Sequence, residues 1–230
     1  MADLRKRLYV AAALAGAVLA AGPAMASGPP DPLRLYGPEM VFSVWRSGSK
    51  IGEHRVIFAR EDGALVVRSY LDLAVKFLGI TLYRYAYRAQ EVWRDGVLAQ
   101  LTSAVDDNGT AASVKAHRAQ GKLDVTGSGG KFVAPGTILP STNWDAQVIG
   151  ANLVLNTLDG KLDHVRLVPE GVTAVDTNVG KRTATHYLWT GDIKAEAWYD
   201  EAGHWLRLRF LGKDGAPIEY RCMRCVAPGG

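Results

Sequence analysis

The stretch LYRYAYRAQEVWRDGVLAQLTSAV (Leu82–Val105) determines the fold class of this chain. Its first half alternates residue by residue, as a β-strand does when its two faces meet different surroundings. One face carries aromatic side chains and the other carries arginines: Tyr83, Tyr85, Tyr87 and Trp93 against Arg84 and Arg88. The dipeptide Asp95-Gly96 then favours a two-residue turn, because both positions of such a turn need positive φ. Residues 97–105 are therefore predicted to return as the second strand of a hairpin.

The same period-two alternation recurs on both sides of this hairpin, from residue 41 to residue 224. Only the middle of the chain differs, where Thr142 is a candidate cap for a short helix over residues 143–150 that would help to plug the sheet. About a dozen strands must curl, split into two layers or close on themselves. The predicted fold is therefore mainly all-β: a long antiparallel meander forming a curved sheet or half-open barrel, with one or two short helices.

The N-terminus has the pattern of an export signal. Residues 1–26 combine three basic residues, an Ala- and Leu-rich run and a small-residue cleavage site, which predicts a signal peptide cut between Ala26 and Ser27. Residues 27–39 then read as an extended Pro-rich leader, and residues 40–226 as a single β domain. We expect a periplasmic protein. No later apolar run is long enough for a transmembrane segment.

The charge balance argues against nucleic acid as a partner. The signal peptide contains three of the 27 basic residues and one of the 23 acidic residues, which leaves a mature net charge of about +2. A nucleic-acid interface needs concentrated Lys and Arg, and the sequence shows no such cluster.

One hairpin design occurs in both halves of the chain. Glu91 and Trp93 precede an Asp and a Gly, and Glu196 and Trp198 do the same in the second half. Two copies are too few for a repeat protein. The shared design predicts that both tryptophans are buried on one face of the sheet.

Three stretches resemble a known family: VKFLGITLYRYAYRAQEVWRDGVLAQLTSAVDDNG, STNWDAQVIGANLVLNTLDG and AEAWYDEAGHWLRLRF. They are similar to a family of bacterial exported domains of unknown function, over about residues 40–222. That family has no established activity to carry over. More loosely, the long meander is similar to half-barrel envelope proteins such as lipoprotein carriers, which is an analogy of fold alone.

Cys222 and Cys225 are the only cysteines, and a disulfide between them or between molecules is the favoured interpretation for an exported protein. A local bond requires a turn, because positions i and i+3 of a regular strand face opposite sides. A redox site would need a helix N-terminus. Haem attachment would need a His where Val226 stands. No cofactor is predicted.

Catalytic and metal-binding patterns are weak. The five histidines lie far apart in the sequence and lack metal-ligand spacing, so His54 and His204 are predicted to be hydrogen-bonded at the edge of the core. Glu91 and Glu196 are the stronger candidates, since two desolvated carboxyl groups facing one cavity would suit general acid and base chemistry. A hydrolase-like enzyme using carboxylates or histidines is therefore one alternative function. Ion pairing with neighbouring arginines is the structural interpretation of the same residues.

The segment Phe77-Leu78-Gly79-Ile80 is apolar where a connection between strands is normally polar. It is either a continuous strand or an apolar lip at the mouth of a cavity or at a membrane-touching edge. The leading functional hypothesis is a periplasmic protein that binds a lipid or other apolar molecule, or assists envelope assembly; a purely structural or interaction module is the third hypothesis. The candidate ligand-binding residues are Tyr83, Tyr85, Tyr87, Glu91, Arg84, Arg88, Phe77 and Leu78.

Overall fold

The computed structural model describes residues 31–228, which form one short α-helix, one 3₁₀-helix and fifteen strands. The helix α1 covers Pro32–Tyr36. The first eight strands are β1 (Glu39–Arg46), β2 (Ser49–Glu61), β3 (Ala64–Phe77), β4 (Ile80–Arg94), β5 (Val97–Asp107), β6 (Thr110–Ala119), β7 (Lys122–Gly127) and β8 (Gly130–Ala134). The others are β9 (Leu139–Pro140), β10 (Leu153–Leu155), β11 (Leu162–Thr177), β12 (Gly180–Gly191), β13 (Ala195–Tyr199), β14 (Trp205–Leu211) and β15 (Pro217–Arg224).

These strands make a single curved sheet in the order β8-β7-β6-β5-β4-β3-β2-β1-β15-β14-β13-β12-β11-β10-β9. Neighbours in the sheet are antiparallel apart from β9 and β10, which are parallel. Within the described residues the two ends of the sheet, β8 and β9, do not pair with each other, so the sheet curls without closing. The predicted mainly all-β fold with a long antiparallel meander is confirmed.

The hairpin turns follow from local sequence. Asp62, Asp95 and Asn108 have φ of 48°, 50° and 52°, and each is followed by a glycine that also has positive φ. Asp and Asn tolerate this left-handed conformation better than other residues with a side chain, and Gly adopts it freely. Each dipeptide therefore closes a tight turn between two strands, as the sequence predicted for Asp95-Gly96.

The leader is partly helical, contrary to its predicted extended conformation. Asp31 caps α1 by accepting a hydrogen bond from the Leu33 N–H, and Pro32 occupies the first turn, where its missing N–H has no cost. Tyr36 at the end of α1 is buried in the core and donates its hydroxyl to the carbonyl oxygen of Trp144 at 2.9 Å. The start of this leader and the predicted cleavage site at Ala26 and Ser27 lie outside the described residues.

The segment of residues 141–152, here called the inner segment, lies against the concave face of the sheet. It contains the 3₁₀-helix Ala146–Gly150, which is shorter than the predicted helix. Its N-cap is Asp145 and not Thr142, because the Asp145 carboxylate accepts from the Gln147 N–H at 3.0 Å. The inner segment also helps to fill the interior of the sheet, as the sequence predicted for residues 143–150.

The residues that follow β15 are hydrogen-bonded to the turn between β11 and β12. Cys222 and Cys225 form a disulfide across the end of β15. Beyond β15, the side-chain oxygen of Asn178 accepts from the N–H groups of Cys225 and Val226, and its amide donates to the Val226 carbonyl at 2.9 Å. The disulfide thus lies where the chain turns out of the last strand to meet Asn178. Among residues 31–228, none of the helices is both long and apolar enough to cross a membrane.

Candidate functional site

The hairpin of β3 and β4 continues beyond its pairing with the strands on either side. The pairing of β3 with β2 stops at Leu73, and the pairing of β4 with β5 stops at Tyr85. Arg84 still exchanges hydrogen bonds with Asn108, and the pairs beyond it, up to Phe77 opposite Ile80, join β3 and β4 to each other alone. We call residues 74–84 the ribbon. Its last three residue pairs are about 10 Å long, at 3.3 Å per residue.

The end of the ribbon is apolar and exposed. Leu78 and Gly79 form the turn, so the continuous-strand interpretation of this segment is wrong. Four large side chains around the turn are mostly accessible to solvent and are here called the apolar tip: Phe77 (63%), Leu78 (86%), Ile80 (66%) and Leu82 (60%). Phe77 lies opposite Ile80 across the ribbon, and Leu82 is the extra residue of a bulge between Thr81 and Tyr83.

The turn residue Leu78 is unfavourable for the conformation it adopts. Its φ of 48° lies in the left-handed region, which an apolar side chain has no local hydrogen bond to stabilise. In the described residues the other non-glycine positions with positive φ are all polar: Ser47, Asp62, Asp95, Asn108 and Gln120. Local sequence and fold therefore disagree at Leu78 alone among these turns, and such conflicts concentrate at functional sites.

The base of the ribbon is fixed to the body of the sheet. The Tyr83 hydroxyl donates to Asp107 at the end of β5 over 2.6 Å. Lys213, from the β14–β15 turn, forms an ion pair with the same carboxylate. Hydrogen bonds from Lys213 and Tyr83 hold the pKa of Asp107 below its usual range. The base of the ribbon is thereby connected to the hairpin of β14 and β15.

The predicted ligand-binding residues do not form one site but are spread along β3 and β4. Phe77 and Leu78 form part of the apolar tip. Arg84 and Tyr85 line an open cavity of about 360 Å³ at the base of the ribbon. Arg88 is on the outer face, where it pairs with Asp72 at 2.6 Å.

Tyr87 and Glu91 belong to the packed core. The Tyr87 hydroxyl donates to Thr157 at 3.0 Å, and Glu91 is fully buried. The indole N–H groups of Trp93 and Trp144 donate to one carboxylate oxygen of Glu91, at 2.9 and 3.2 Å. Burial raises the pKa of Glu91 to about 7, although the two indole groups act in the opposite direction. Glu91 therefore joins β4 to the inner segment.

The structure does not bring Glu91 and Glu196 together. Glu196 is on the outer face, where it pairs with Arg209 at 2.8 Å and with His186 at 3.0 Å. Trp198 shares this outer face and is buried by stacking on His186, with ring centroids 4.4 Å apart, and under Arg207. The alternative of two carboxyl groups facing one cavity is therefore wrong, and Glu196 follows the structural interpretation of ion pairing with a neighbouring arginine.

Trp93 and Trp198 are both buried, at 4% and 5% exposure, but on opposite faces. The prediction of a common face is wrong because the small Ala197 and the long Tyr199 occupy the inner positions of β13. Alternation assigns residues to two faces without saying which face meets the core. Charged and aromatic neighbours then cover Trp198 from outside.

The histidines are dispersed in the structure as in the sequence. His204 is buried and hydrogen-bonded to Asp200 at 2.9 Å, as predicted for a histidine at the core. His54 was predicted to be hydrogen-bonded, but neither of its ring nitrogens has a partner among the described residues, and it packs against Trp205 and Tyr220. Over residues 31–228, no three His, Cys, Asp or Glu side chains converge in a way that could hold a metal ion.

Two residues were not singled out from the sequence. Trp144 lies in the quoted stretch STNWDAQVIG, and a tryptophan between Asn143 and Asp145 in a loop is the signal that could have identified it as a core residue. Leu82 was assigned only to a strand. Its position two residues from Ile80 is the signal that the apolar surface continues along the ribbon.

Comparison with known proteins gives a family and a fold. Among curated proteins none matches this chain. A solved structure that it resembles is a crystal structure of a "Beta-barrel-like Protein of Domain of Unknown Function DUF1849 from Brucella abortus". The two share 10% sequence identity with a TM-score of 0.57, over 83% of this chain and 97% of the other. At this identity the likeness concerns the curved β fold alone. The family described as "Domain of unknown function (DUF6134)" matches residues 42–223, and the chain therefore belongs to that family.

Proposed function

We propose that this protein is exported to the periplasm and attaches to a lipid surface through the apolar tip of the β3–β4 ribbon. The signal-peptide pattern of residues 1–26 supports the location. The exposed tip carries the proposal of attachment, because its four large apolar side chains surround a projecting turn that could readily have been polar. Exposed apolar patches on otherwise polar proteins mark contact sites.

Contact through the tip accounts for the geometry better than a lipid held inside the sheet. The concave face is filled by side chains such as those of Trp144, Phe42 and Trp205. Tyr87 and Glu91, which would have lined an internal site, are within this core. By contrast, the end of the ribbon that carries the apolar tip is about 10 Å long, which matches the depth of 5–10 Å to which interfacial elements enter a bilayer.

The proposed export predicts a mature N-terminus at Ser27, because Ala24-Met25-Ala26 provides the small residues that a signal peptidase requires. N-terminal sequencing of the native protein from a periplasmic fraction checks this. A chain that begins at residue 1 or 2 and remains in the cytoplasm would contradict the proposed location.

Replacing Leu78 by Asp should weaken binding to lipid vesicles by at least about thirtyfold, since burial of one such side chain contributes about 2 kcal/mol. The same change should leave the fold intact or stabilise it slightly, because Asp-Gly suits the two-residue turn that Leu78-Gly79 now forms. Vesicle flotation measures binding, and urea unfolding measures stability on the same samples.

A matched control is Val172→Asp, on the exposed part of β11. Val172 is 69% exposed, so the substitution adds the same charge to a comparable apolar position outside the ribbon. Binding by this variant should equal that of the native protein. If Leu78→Asp binds vesicles as well as the native chain does, the tip is not the lipid contact. If Leu78→Asp instead converts a dimer to a monomer without affecting vesicles, the tip contacts a second copy and the proposal is wrong.

A further inference from the structure

The apolar tip is flanked by two cations that form no ion pair. Lys76 and Arg84 are exposed, and within residues 31–228 neither has a carboxylate within ion-pairing distance. Arg88, four residues further from the tip along β4, is paired with Asp72. Asp72 and Asp106 line the same cavity as Arg84 without pairing with it. The sequence contains no acidic residue between Asp72 and Glu91, so the ribbon itself carries positive charge only.

The register places these two cations on one face of the ribbon. Lys76 lies opposite Thr81, one pair behind Phe77 and Ile80, and so points away from the face that these two share. Arg84 lies opposite Ala74, two residues before Lys76 on β3, so it shares the face of Lys76. The long stems of Lys and Arg let the charged groups reach several ångströms from the backbone. Together they form a positive patch behind the apolar tip, here called the collar.

We propose that the surface entered by the apolar tip is a bilayer leaflet with anionic headgroups, and that Lys76 and Arg84 select it. This inference rests on the proposed function. When the tip is buried in the acyl region, the collar lies in the headgroup layer, where a net negative surface attracts it. A zwitterionic leaflet offers the tip the same apolar environment without the net charge. The side chain of Tyr83, beside the collar, is of the amphipathic type enriched at such interfaces.

The test is flotation of the exported protein with two kinds of vesicle: phosphatidylcholine alone, and phosphatidylcholine mixed with phosphatidylglycerol. The native protein should bind the mixed vesicles more tightly at low salt. The double variant K76Q/R84Q should bind mixed vesicles about thirtyfold more weakly, since each basic residue near an anionic surface contributes about fivefold. Its binding to phosphatidylcholine alone should change little.

The matched control is K122Q/K181Q, which removes the same amount of charge from the strand ends that lie opposite the ribbon. Lys122 begins β7 and Lys181 is the second residue of β12, and both are exposed. This variant should bind mixed vesicles like the native protein. If it loses as much affinity as K76Q/R84Q, net charge and not the collar determines binding, and the inference is wrong.

The remaining outcomes separate the inference from the proposed function. Equal affinity of the native protein for both vesicle types overturns the anionic preference, while loss of that binding in Leu78→Asp still supports the tip as a lipid contact. Absence of binding to either vesicle overturns both proposals. Binding only to a protein partner, unaffected by lipid, assigns the tip to a protein groove and overturns both as well.

Discussion

Replacing Trp144 by Ala should lower the free energy of unfolding by about 3 to 5 kcal/mol, the usual cost of removing a large aromatic side chain from a core. Trp144 is 4% exposed and packs edge-on against Phe58 and Trp93, with ring centroids 5.7 and 5.5 Å apart. Its indole donates to Glu91, and its carbonyl accepts from Tyr36. The side chain therefore connects the inner segment to β2 and β4, and the main-chain carbonyl connects it to α1. Urea unfolding, followed at a fixed pH, measures the loss.

Two further variants separate packing from hydrogen bonding. Trp144→Phe keeps an aromatic ring but removes the indole donor, so it should cost less than Trp144→Ala. Trp45→Ala provides an external reference, because Trp45 lies on the outer face under Arg221 and is only partly buried. A loss for Trp144→Ala no larger than that for Trp45→Ala would mean that the inner segment contributes little to the fold.

The fold was predictable because its signals are local. Alternation between inner and outer residues persists along β4, and the Asp95-Gly96 and Asn108-Gly109 turns use dipeptides that specify their own geometry. Those two signals suffice for strand order in a meander, where each strand pairs with the next. The pairing of β1 with β15 joins residues far apart in sequence, and no local signal predicts it.

The candidate site was predictable only in part. The apolar character of Phe77-Leu78-Gly79-Ile80 was visible in the sequence. Because the residue before Gly79 is apolar, however, the sequence did not distinguish a turn from a continuous strand. The projection of the ribbon depends on where β2 and β5 stop pairing, and that depends on tertiary contacts of strands distant from the tip. The outer position of Trp198 likewise depends on Arg207 and His186, which cover it from two neighbouring strands.

Stability between about pH 4 and pH 7 should reflect two buried groups with opposite effects. The folded-state pKa of Glu91 is raised from 4.5 to about 7, so the folded chain holds a proton that the unfolded chain has lost. Stability from this group is present below pH 4.5 and is lost as the pH rises to about 7. Burial lowers the pKa of His54 from 6.5 to about 4, so here the unfolded chain holds the extra proton. Stability from His54 is present above pH 6.5 and is lost as the pH falls to about 4.

Each of these shifts corresponds to about 3 kcal/mol, at 1.36 kcal/mol per unit of pKa. The pH ranges of the two effects overlap. As the pH changes in the native protein, the stability lost from one group is therefore nearly balanced by the stability gained from the other, and single variants should separate the two.

Glu91→Gln should match the native stability near pH 4.5 and exceed it by about 3 kcal/mol near pH 7.5, since a neutral amide has no charge to bury. His54→Leu should gain on the native protein by about 3 kcal/mol as the pH falls from 7 to 4. Urea unfolding across this range, taken as differences from the native protein, removes the titration of surface groups. A pH-independent difference for Glu91→Gln would show that Glu91 is not a protonated acid held between Trp93 and Trp144.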